Sequence, residues 1–209
     1  MIDKPLIIIG AGGHAKVALD TALSIGHTVL GLVDARQELI GNKVLGISIV
    51  GNDTWVENHD PDTVLLVMGI GSVDDTAMRR LVYCNFVDKG YEFASLVHPM
   101  TTLGRDIEIG SGTVVMAGAV IQTGCKIGQN VIVNTGARID HDGKIGDHTH
   151  IAPGAILSGN VEVGKNTHVG VGAMVIQGVV IGENSLVAAG AVVVKPVAAN
   201  SKIMRWAGK

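Results

Sequence analysis

Branched aliphatic residues recur every six positions along the second half of the chain. Sixteen consecutive positions spaced six apart, from Leu103 to Val193, are all Leu, Ile or Val. Four positions after each of them lies a small side chain, with Ile107 as the single exception. Three positions after each lies Gly, Asn or Asp in most repeats, although His148 and Pro196 depart from this rule. The spacing shows no helical period.

Each six-residue unit is predicted to form a short strand followed by a tight turn. Gly, Asn and Asp tolerate the positive φ that such a turn requires. The branched side chain points into a narrow interior, and the small residue packs beside it. Three units close a triangular coil, and successive coils stack at the strand spacing of about 4.8 Å. The repeats therefore predict a parallel β-helix with five coils between Leu103 and Val192.

The first part of the chain alternates strand-like and helix-like segments. The predicted strands cover 5–9, 28–33, 64–68 and 92–96, and the predicted helices cover 14–25 and 74–89. This alternation is typical of a small parallel sheet, doubly wound at most. His98-Pro99 marks the change to the β-helix, so two domains are expected, at residues 1–97 and 98–209.

A glycine-rich loop follows the first predicted strand. Gly10-x-Gly12-x-x-Ala15, with Asp34 further along the chain, approximates a dinucleotide-binding fingerprint. Backbone N–H groups at a helix N-terminus can hold a phosphate, and the acid can hold a ribose hydroxyl. The domain has only half the strands of a complete dinucleotide fold, so a mononucleotide or pyrophosphate fits better than NAD. The alternative is a tight strand–helix turn without a ligand.

Composition and charge narrow the class of protein. Hydrophobic residues make up 47% of the 209 positions but aromatic residues only 3%, which fits an interior too narrow for rings. A net charge of −3 without a basic block disfavours nucleic acid as a partner. No apolar run approaches the roughly 18 residues of a membrane helix. The start of the chain does not read as a signal peptide, and Cys84 and Cys125 form no disulfide or metal pattern, so a cytoplasmic protein is expected.

Acid–base chemistry centres on the pair His141-Asp142. A histidine can act as a general base because its pKa lies near neutral pH. His141 lies two positions after Ile139 of the aliphatic series, so it is expected at a turn, pointing away from the interior. Asp142 can hold the imidazole in one tautomer and raise its basicity. The alternative interpretation is an ordinary surface histidine.

His150 and His168 lie 18 positions apart and are therefore expected to stack on adjacent coils. Two histidines without a third ligand make a weak case for a metal, so no metal site is predicted.

A Gly-Gly-His loop in a small α/β domain, followed by hexapeptide repeats, resembles the NeuD family of sugar acetyltransferases over nearly the whole chain. That family includes sialic-acid O-acetyltransferases and N-acetyltransferases of nucleotide-linked 4-amino-sugars. The resemblance implies a half-Rossmann-like domain followed by a left-handed parallel β-helix, assembled as a homotrimer. It also implies acetyl-CoA bound between neighbouring β-helices, and a nucleotide-sugar held partly by the N-terminal domain for bacterial polysaccharide biosynthesis.

The resemblance also assigns roles to single residues. An Asn-Thr stretch followed by a His and an acid matches the family motif, so His141 is expected as the general base and Asp142 as the residue that tunes it. The implied acetyl-CoA contacts are His150, Val171 and Ala189. The implied nucleotide-sugar contacts are Gly12, Gly13, His14, Asp34 and Gly69. His148 and His168 receive no role.

The chain departs from the family pattern at its C-terminal end. Family members usually finish with Gly-x-Pro-Ala-Lys, which helps to cover the pantetheine and adenine of the coenzyme. This sequence finishes with Trp206-Ala207-Gly208-Lys209 instead. Coenzyme contacts from that segment are therefore not carried over.

The leading hypothesis is acetyl transfer from acetyl-CoA to the amino group of a nucleotide-linked amino-sugar. One alternative is O-acetylation of a sialic acid. Another is a non-catalytic hexapeptide-repeat trimer that serves as a scaffold, against which the His141-Asp142 pair argues. An NAD-binding regulator would require a fuller Rossmann domain than this chain contains.

Overall fold

The computed structural model describes residues 4–204, so the C-terminal departure at 206–209 lies outside the described residues. The N-terminal elements are β1 Leu6–Ile9, α1 Gly13–Ser24, β2 Val29–Val33, a 3₁₀ turn Gln37–Leu39, β3 Lys43–Val44, β4 Ile47–Gly51, α2 Asp53–Glu57, β5 Leu65–Met68 and α3 Ala77–Asp88. The sheet order is β3-β4-β2-β1-β5, in which only β3 runs antiparallel to its neighbour. The predicted small parallel sheet is confirmed.

Helices cover both faces of this sheet because alternate strand residues point to opposite sides. Leu6 and Ile8 of β1 pack into a core with α1, and Ile7 and Ile9 pack into a second core that includes Phe86 of α3. All four residues of β1 are at most 2% exposed. A central strand buried on both faces explains the unbroken aliphatic run in the sequence.

The structure corrects two local predictions and adds elements that were not predicted. The segment 92–96 is not one strand: Phe93 makes a single bridge to Leu66, whereas Leu96 already pairs with the β-helix. The helix predicted from residue 74 begins at Ala77, since Asp74 adopts a positive φ of 63°. The hairpin of β3 and β4 and the short helix α2 were not predicted, because their segments are too short to show a period.

The rest of the described chain forms eighteen two-residue strands. They are β6 Leu96–Val97, β7 Thr102–Leu103, β8 Glu108–Ile109, β9 Val114–Val115, β10 Val120–Ile121, β11 Lys126–Ile127, β12 Ile132–Val133, β13 Arg138–Ile139, β14 Lys144–Ile145, β15 His150–Ile151, β16 Ile156–Leu157, β17 Glu162–Val163, β18 His168–Val169, β19 Met174–Val175, β20 Val180–Ile181, β21 Leu186–Val187, β22 Val192–Val193 and β23 Lys202–Ile203. Every strand from β6 to β19 pairs in parallel with the strand one coil further on, as Val120 pairs with Arg138.

The strands stack into three sheets, which we call face 1, face 2 and face 3. Face 1 consists of β6, β9, β12, β15, β18, β21 and β23, face 2 of β7, β10, β13, β16, β19 and β22, and face 3 of β8, β11, β14, β17 and β20. The aliphatic series fills the space between them, and Val133 and Leu157, for example, are fully buried. Leu103 is 43% exposed because it lies in the first coil. The predicted parallel β-helix is confirmed.

The turn positions adopt the predicted left-handed backbone. Non-glycine residues there have φ between 52° and 59°: Asp106, Asn130, Asp142, His148, Asn160, Asn166 and Asn184. His148 takes the same conformation (φ 59°) although it departs from the sequence rule. The backbone of the coil therefore imposes a positive φ on whichever residue the turn carries.

The outer surfaces of the three faces differ in chemistry. Face 1 begins with Leu96 and Val114, which share a core with α1 and so attach the N-terminal domain. Face 3 carries exposed ion pairs such as Lys126–Glu108 and Lys144–Glu162. Face 2 exposes a row of aliphatic side chains: Ile156, Met174, Ile176, Val192 and Val194, each 38–55% exposed. Face 2 is thus the apolar face that no part of the described chain covers.

The inward and outward positions of one strand give a direct test of this packing. Replacing Ile181, which is fully buried, with Ala is expected to lower the free energy of unfolding by about 2–5 kcal/mol, because it leaves a cavity. Val180 precedes it on β20 but is 45% exposed, so Val180→Ala is expected to cost only about 0.5 kcal/mol. Chemical denaturation of both variants measures the difference. Equal losses would contradict the assignment of these faces.

Candidate active site

A cavity of about 660 Å³ lies where the N-terminal domain meets face 1 of the β-helix. The N-terminal domain lines it with the loop 10–14, with residues 34 and 36, and with the segment 69–73. The β-helix contributes Met116, Asn134, His150, Ala152, Pro153, His168 and Val171. The three N-terminal segments follow the carboxyl ends of β1, β2 and β5, the edge at which open α/β sheets bind ligands.

The cavity brings together seven of the ten residues singled out from the sequence. They are Gly12, Gly13, His14, Asp34 and Gly69 of the N-terminal domain and His150 and Val171 of the β-helix. The other three, His141, Asp142 and Ala189, do not line it. His141 and Asp142 lie at the corner between faces 2 and 3, whereas the cavity reaches the corner between faces 1 and 2 at Pro153 and Val171.

The glycine loop leaves the start of α1 open towards the cavity. Gly12 caps the helix without any side-chain hydrogen bond, and the first turn contains no acidic residue. A Cβ at Gly12 or Gly13 would meet nothing within 4 Å, and neither residue has a positive φ. Packing and backbone conformation therefore do not require glycine at these two positions. The open space leaves room for a ligand to approach the N–H groups at the helix start, where the helix dipole favours a negative charge.

Asp34 holds the loop and an arginine together. Both of its carboxylate oxygens accept hydrogen bonds from Arg36, at 2.8 Å from Nε and 2.9 Å from Nη2, and Oδ2 also accepts from the backbone N–H of Ala11 at 2.9 Å. The bond from Arg36 lowers the pKa of Asp34 to about 2. Arg36 was not predicted from the sequence. It places a positive charge on the cavity wall beside the open helix end.

A buried arginine anchors the segment after β5. Arg79 is 1% exposed, and its Nη1 donates to the carbonyl oxygens of Met68 (3.1 Å) and Ile70 (2.6 Å). Burial lowers its pKa to about 9, so the guanidinium is still charged at neutral pH. Burial and the charge of Arg79 together lower the pKa of His14 to about 3. His14 is therefore a neutral imidazole. Arg79 was not predicted, since nothing in the sequence marks it as buried.

His150 connects the two domains across the cavity. Its Nε2 faces the side-chain amide nitrogen of Asn134 at 3.0 Å, and its Nδ1 lies 2.9 Å from the Ser72 hydroxyl and 3.1 Å from the Ser72 carbonyl. With the amide nitrogen assigned as donor, Nε2 accepts and Nδ1 carries the hydrogen. Burial, followed by the neighbouring His168, lowers the pKa of His150 to about 3. The neutral ring therefore acts as both donor and acceptor at the domain boundary.

Two further buried histidines, His148 and His168, are also positioned by the coil. The ring of His168 stands edge-on to that of His150, with centroids 4.8 Å apart, which confirms the predicted stacking. His148 lies beside Asn130, whose amide nitrogen is 2.9 Å from its Nδ1, and edge-on to Tyr83 of α3. Among residues 4–204, no group of three or more His, Cys, Asp or Glu side chains is arranged to hold a metal ion.

His141 and Asp142 form a hydrogen-bonded pair at an exposed corner. The Nδ1 of His141 lies 2.8 Å from Oδ2 of Asp142, and the two side chains are 48% and 65% exposed. The positive φ of Asp142 (58°) belongs to the turn of the coil. The hydrogen bond that Nδ1 of His141 donates to the Asp142 carboxylate raises the pKa of His141. Because Nδ1 is engaged, Nε2 is the atom that is free to accept a proton.

Two family models match overlapping parts of the chain. A model of the PglD N-terminal domain matches residues 5–107, and a model of the bacterial transferase hexapeptide (six repeats) matches residues 96–141. No curated protein sequence matches the chain.

Solved structures match nearly the whole chain. A histidine-to-asparagine variant of perosamine N-acetyltransferase from Caulobacter crescentus, in complex with CoA and GDP-perosamine, is 35% identical with a TM-score of 0.86, covering 95% of this chain and 90% of that one. The acetyltransferase domain of PglB from Neisseria gonorrhoeae, in complex with acetyl coenzyme A, is 34% identical with a TM-score of 0.86, covering 93% and 92%. WeeI from Acinetobacter baumannii, at 22% identity and a TM-score of 0.84, shares the fold.

An α/β domain that presents a glycine loop to a hexapeptide β-helix defines a hexapeptide-repeat transferase. More particularly, the chain belongs to the NeuD/PglD family of sugar acetyltransferases. This confirms the resemblance drawn from the sequence. The coil of the hexapeptide repeats is accordingly left-handed.

The glycines around the cavity are expected to respond differently to substitution. A Cβ at Gly69 would lie 2.8 Å from the Ala15 Cβ, the Ile8 Cγ2 and the Ile9 carbonyl oxygen, so Gly69→Ala is expected to cost about 1–3 kcal/mol of folding free energy. Gly13→Ala fills open space at a helix start and should leave stability within about 0.5 kcal/mol of wild type. Denaturation of both variants measures this. A large loss in Gly13→Ala would show that packing requires this glycine.

Proposed function

We propose that this protein transfers the acetyl group of acetyl-CoA to the amino group of a nucleotide-linked amino-sugar, with His141 as the general base. One observation carries the proposal. A cavity joins an open, glycine-lined helix end to face 1 of the β-helix, in a chain 35% identical to an enzyme crystallised with CoA and GDP-perosamine. The helix end thus offers a site for phosphates, and the cavity continues from it along face 1 of the β-helix.

The nucleotide part of the substrate is proposed to bind at the N-terminal domain. The N–H groups at Gly12 and Gly13 point to the pyrophosphate, and Arg36 adds a positive charge at the same wall. Gly69 forms the floor, where a side chain would overlap the start of α1. Neutral His14 and the Asp34 carboxylate supply polar contacts to the nucleoside and sugar. Recognition rests on backbone and short polar groups, since none of the described residues that line the cavity is Phe, Tyr or Trp.

Acetyl-CoA is proposed to bind along the corner between faces 1 and 2. Val171 and Ala189 are both exposed there and lie one coil apart, and the Gly190 N–H donates to the Val171 carbonyl at 2.8 Å. This column can contact an extended pantetheine chain mainly through its backbone. His150 lies on the adjacent face, where its imidazole can contact the acetyl end.

The reaction needs one proton acceptor and no covalent enzyme intermediate. The acceptor amine attacks the thioester carbonyl carbon while Nε2 of His141 removes a proton from the nitrogen. The new N–C bond forms, the C–S bond breaks, and CoA leaves as the thiol after taking up the proton. Asp142 stabilises the imidazolium that exists between these two transfers. Backbone N–H groups stabilise the oxyanion of the tetrahedral intermediate.

We infer a homotrimer, because His141 lies at a different corner from the cavity within one chain. A second copy packed against apolar face 2 would carry its His141 towards the cavity of the first. Light scattering is expected to give about 65 kDa, three times the chain mass of 21.6 kDa. A monomer at assay concentration would contradict the shared site.

We place the reaction in the cytoplasm, where acetyl-CoA and nucleotide sugars are available. The free thiols Cys84 and Cys125 fit a reducing compartment. None of the helices described between residues 4 and 204 is long and apolar enough to cross a membrane.

The activity is tested by thiol release from acetyl-CoA with a panel of UDP-, GDP- and dTDP-linked amino-sugars, beside free and CMP-linked sialic acid. Release with an amino-sugar is expected. His141→Ala should then lower kcat by about 10²–10⁴, while the variant keeps its assembly and its affinity for acetyl-CoA. Wild-type kcat in that variant would place the base elsewhere. Thiol release only with sialic acid would instead indicate O-acetylation. If none of the acceptors supports thiol release, a scaffold is favoured.

The Asp142 carboxylate should set the pH dependence of the rate. The general base works in its neutral form, so kcat/KM is expected to rise with pH and level off above the pKa of His141. Because Asp142 raises that pKa, Asp142→Asn should shift the rising limb to lower pH and reduce the plateau less than His141→Ala does. Rate profiles of the wild type, Asp142→Asn and His141→Ala between pH 5 and 9 measure the midpoint and the plateau. An unchanged midpoint would show that Asp142 does not tune the base.

A further inference from the structure

The corner column that carries His141 contains one residue without a side chain. One residue per coil occupies this column, at spacings of 18: Arg105, Thr123, His141, Gly159, Gln177 and Lys195. Arg105, Thr123, Gln177 and Lys195 are exposed like His141, whereas Gly159 is buried. Gly159 lies one coil beyond His141, and the Asn160 N–H donates to the His141 carbonyl at 2.8 Å. A glycine therefore occurs only next to the proposed base.

The backbone does not require glycine at this position. The positive φ of this turn belongs to Asn160 (φ 55°), and Gly159 is not among the residues with a positive φ. Thr123 and Gln177 occupy the equivalent positions of other coils, so side chains fit this column elsewhere. The reason for a glycine must therefore lie in what surrounds residue 159.

The imidazole of His141 fills the space that a side chain at 159 would need. A Cβ built on Gly159 would overlap Nε2 of His141 and lie 2.6 Å from Cε1 and 3.0 Å from Cδ2. The nearest atom is Nε2, the one ring nitrogen that Asp142 leaves free. The ring is thus held from two directions, by the Asp142 carboxylate at Nδ1 and by the bare backbone of Gly159 beneath Nε2.

We propose that Gly159 is a positioning residue for the acetyl transfer, because the missing side chain lets the His141 imidazole lie against the coil with Nε2 presented to the acceptor amine. This inference rests on the proposed role of His141 as the base. A methyl group at 159 would push the ring outwards, which moves Nε2 and strains the bond between Nδ1 and Asp142. A displacement of about 1 Å of a reacting group can cost about 10²-fold in rate.

The test compares Gly159→Ala with Gln177→Ala, a substitution in the same column one coil further from His141. Gly159→Ala is expected to lower kcat by about 10–10²-fold with little change in either KM, whereas Gln177→Ala should leave kcat unchanged. The intact hydrogen bond to Asp142 raises the pKa of His141. Because a methyl group at 159 weakens that bond, Gly159→Ala should also move the rising limb of the pH–rate profile to lower pH. A merely structural role would not move this midpoint.

A double-variant cycle separates this inference from the proposed function. If Gly159 acts through His141, then adding Gly159→Ala to His141→Ala should cause no further loss of kcat. Wild-type kcat and an unchanged pH profile in Gly159→Ala would overturn the inference, as would an equal loss on the His141→Ala background. Failure of Gly159→Ala to fold would also overturn it, because the His141 side chain is half exposed and its displacement leaves the buried core intact. If His141→Ala itself keeps wild-type kcat, the proposed function fails instead.

Discussion

The narrow triangular interior of the β-helix is the constraint on which the rest of the structure depends. Three short strands must close each coil around one aliphatic side chain apiece, so every residue falls on a fixed face or corner. The turn that joins two strands imposes a positive φ on whichever residue it carries, Asp142 and His148 included. The position of a residue within the 18-residue period therefore decides whether it is buried, which surface it occupies and which residues lie above and below it.

The position within the 18-residue period places the histidines of the β-helix on different parts of the coil. His141 and Asp142 share an exposed corner, with Asp142 bonded to Nδ1 and Gly159 beneath Nε2. His150 lies on face 1, where the N-terminal domain covers it and keeps it neutral. The apolar contact of Leu96 with α1 fixes the position of that domain. The groups proposed for nucleotide binding and for acid–base catalysis are thus held by one frame, on opposite sides of its apolar face 2.

The sequence predicts most of this frame because the packing of a β-helix is local. The aliphatic series and the turn residues are repeated fifteen-fold or more. As the repeats predict, the structure buries aliphatic side chains of this series between the three faces and gives the turn residues a positive φ. The glycine loop was predicted for a similar reason, since strand, loop and helix are consecutive. Gly12 and Gly13 do face open space.

What the sequence did not reveal depends on contacts between distant segments. Arg79 is buried because α3 packs over the ends of β5 and over Asn130, 51 positions away. The bonds of His150 to Ser72 span 78 positions. The hairpin of β3 and β4 has too few residues to form a recognisable pattern. The sequence gives no sign of the importance of Gly159, because it does not show that an imidazole lies against this residue.

The central claim is that the cavity of one chain works with His141 of another, and mixed trimers test it most directly. Gly13→Asp would place a carboxylate where the phosphates are proposed to bind, and His141→Ala removes the base, so each variant alone should be inactive. If the two chains are unfolded together in equal amounts and refolded, random assembly should restore about a quarter of the wild-type sites. Recovery near that level supports a site shared between chains. No activity from trimers shown to contain both chains would contradict it.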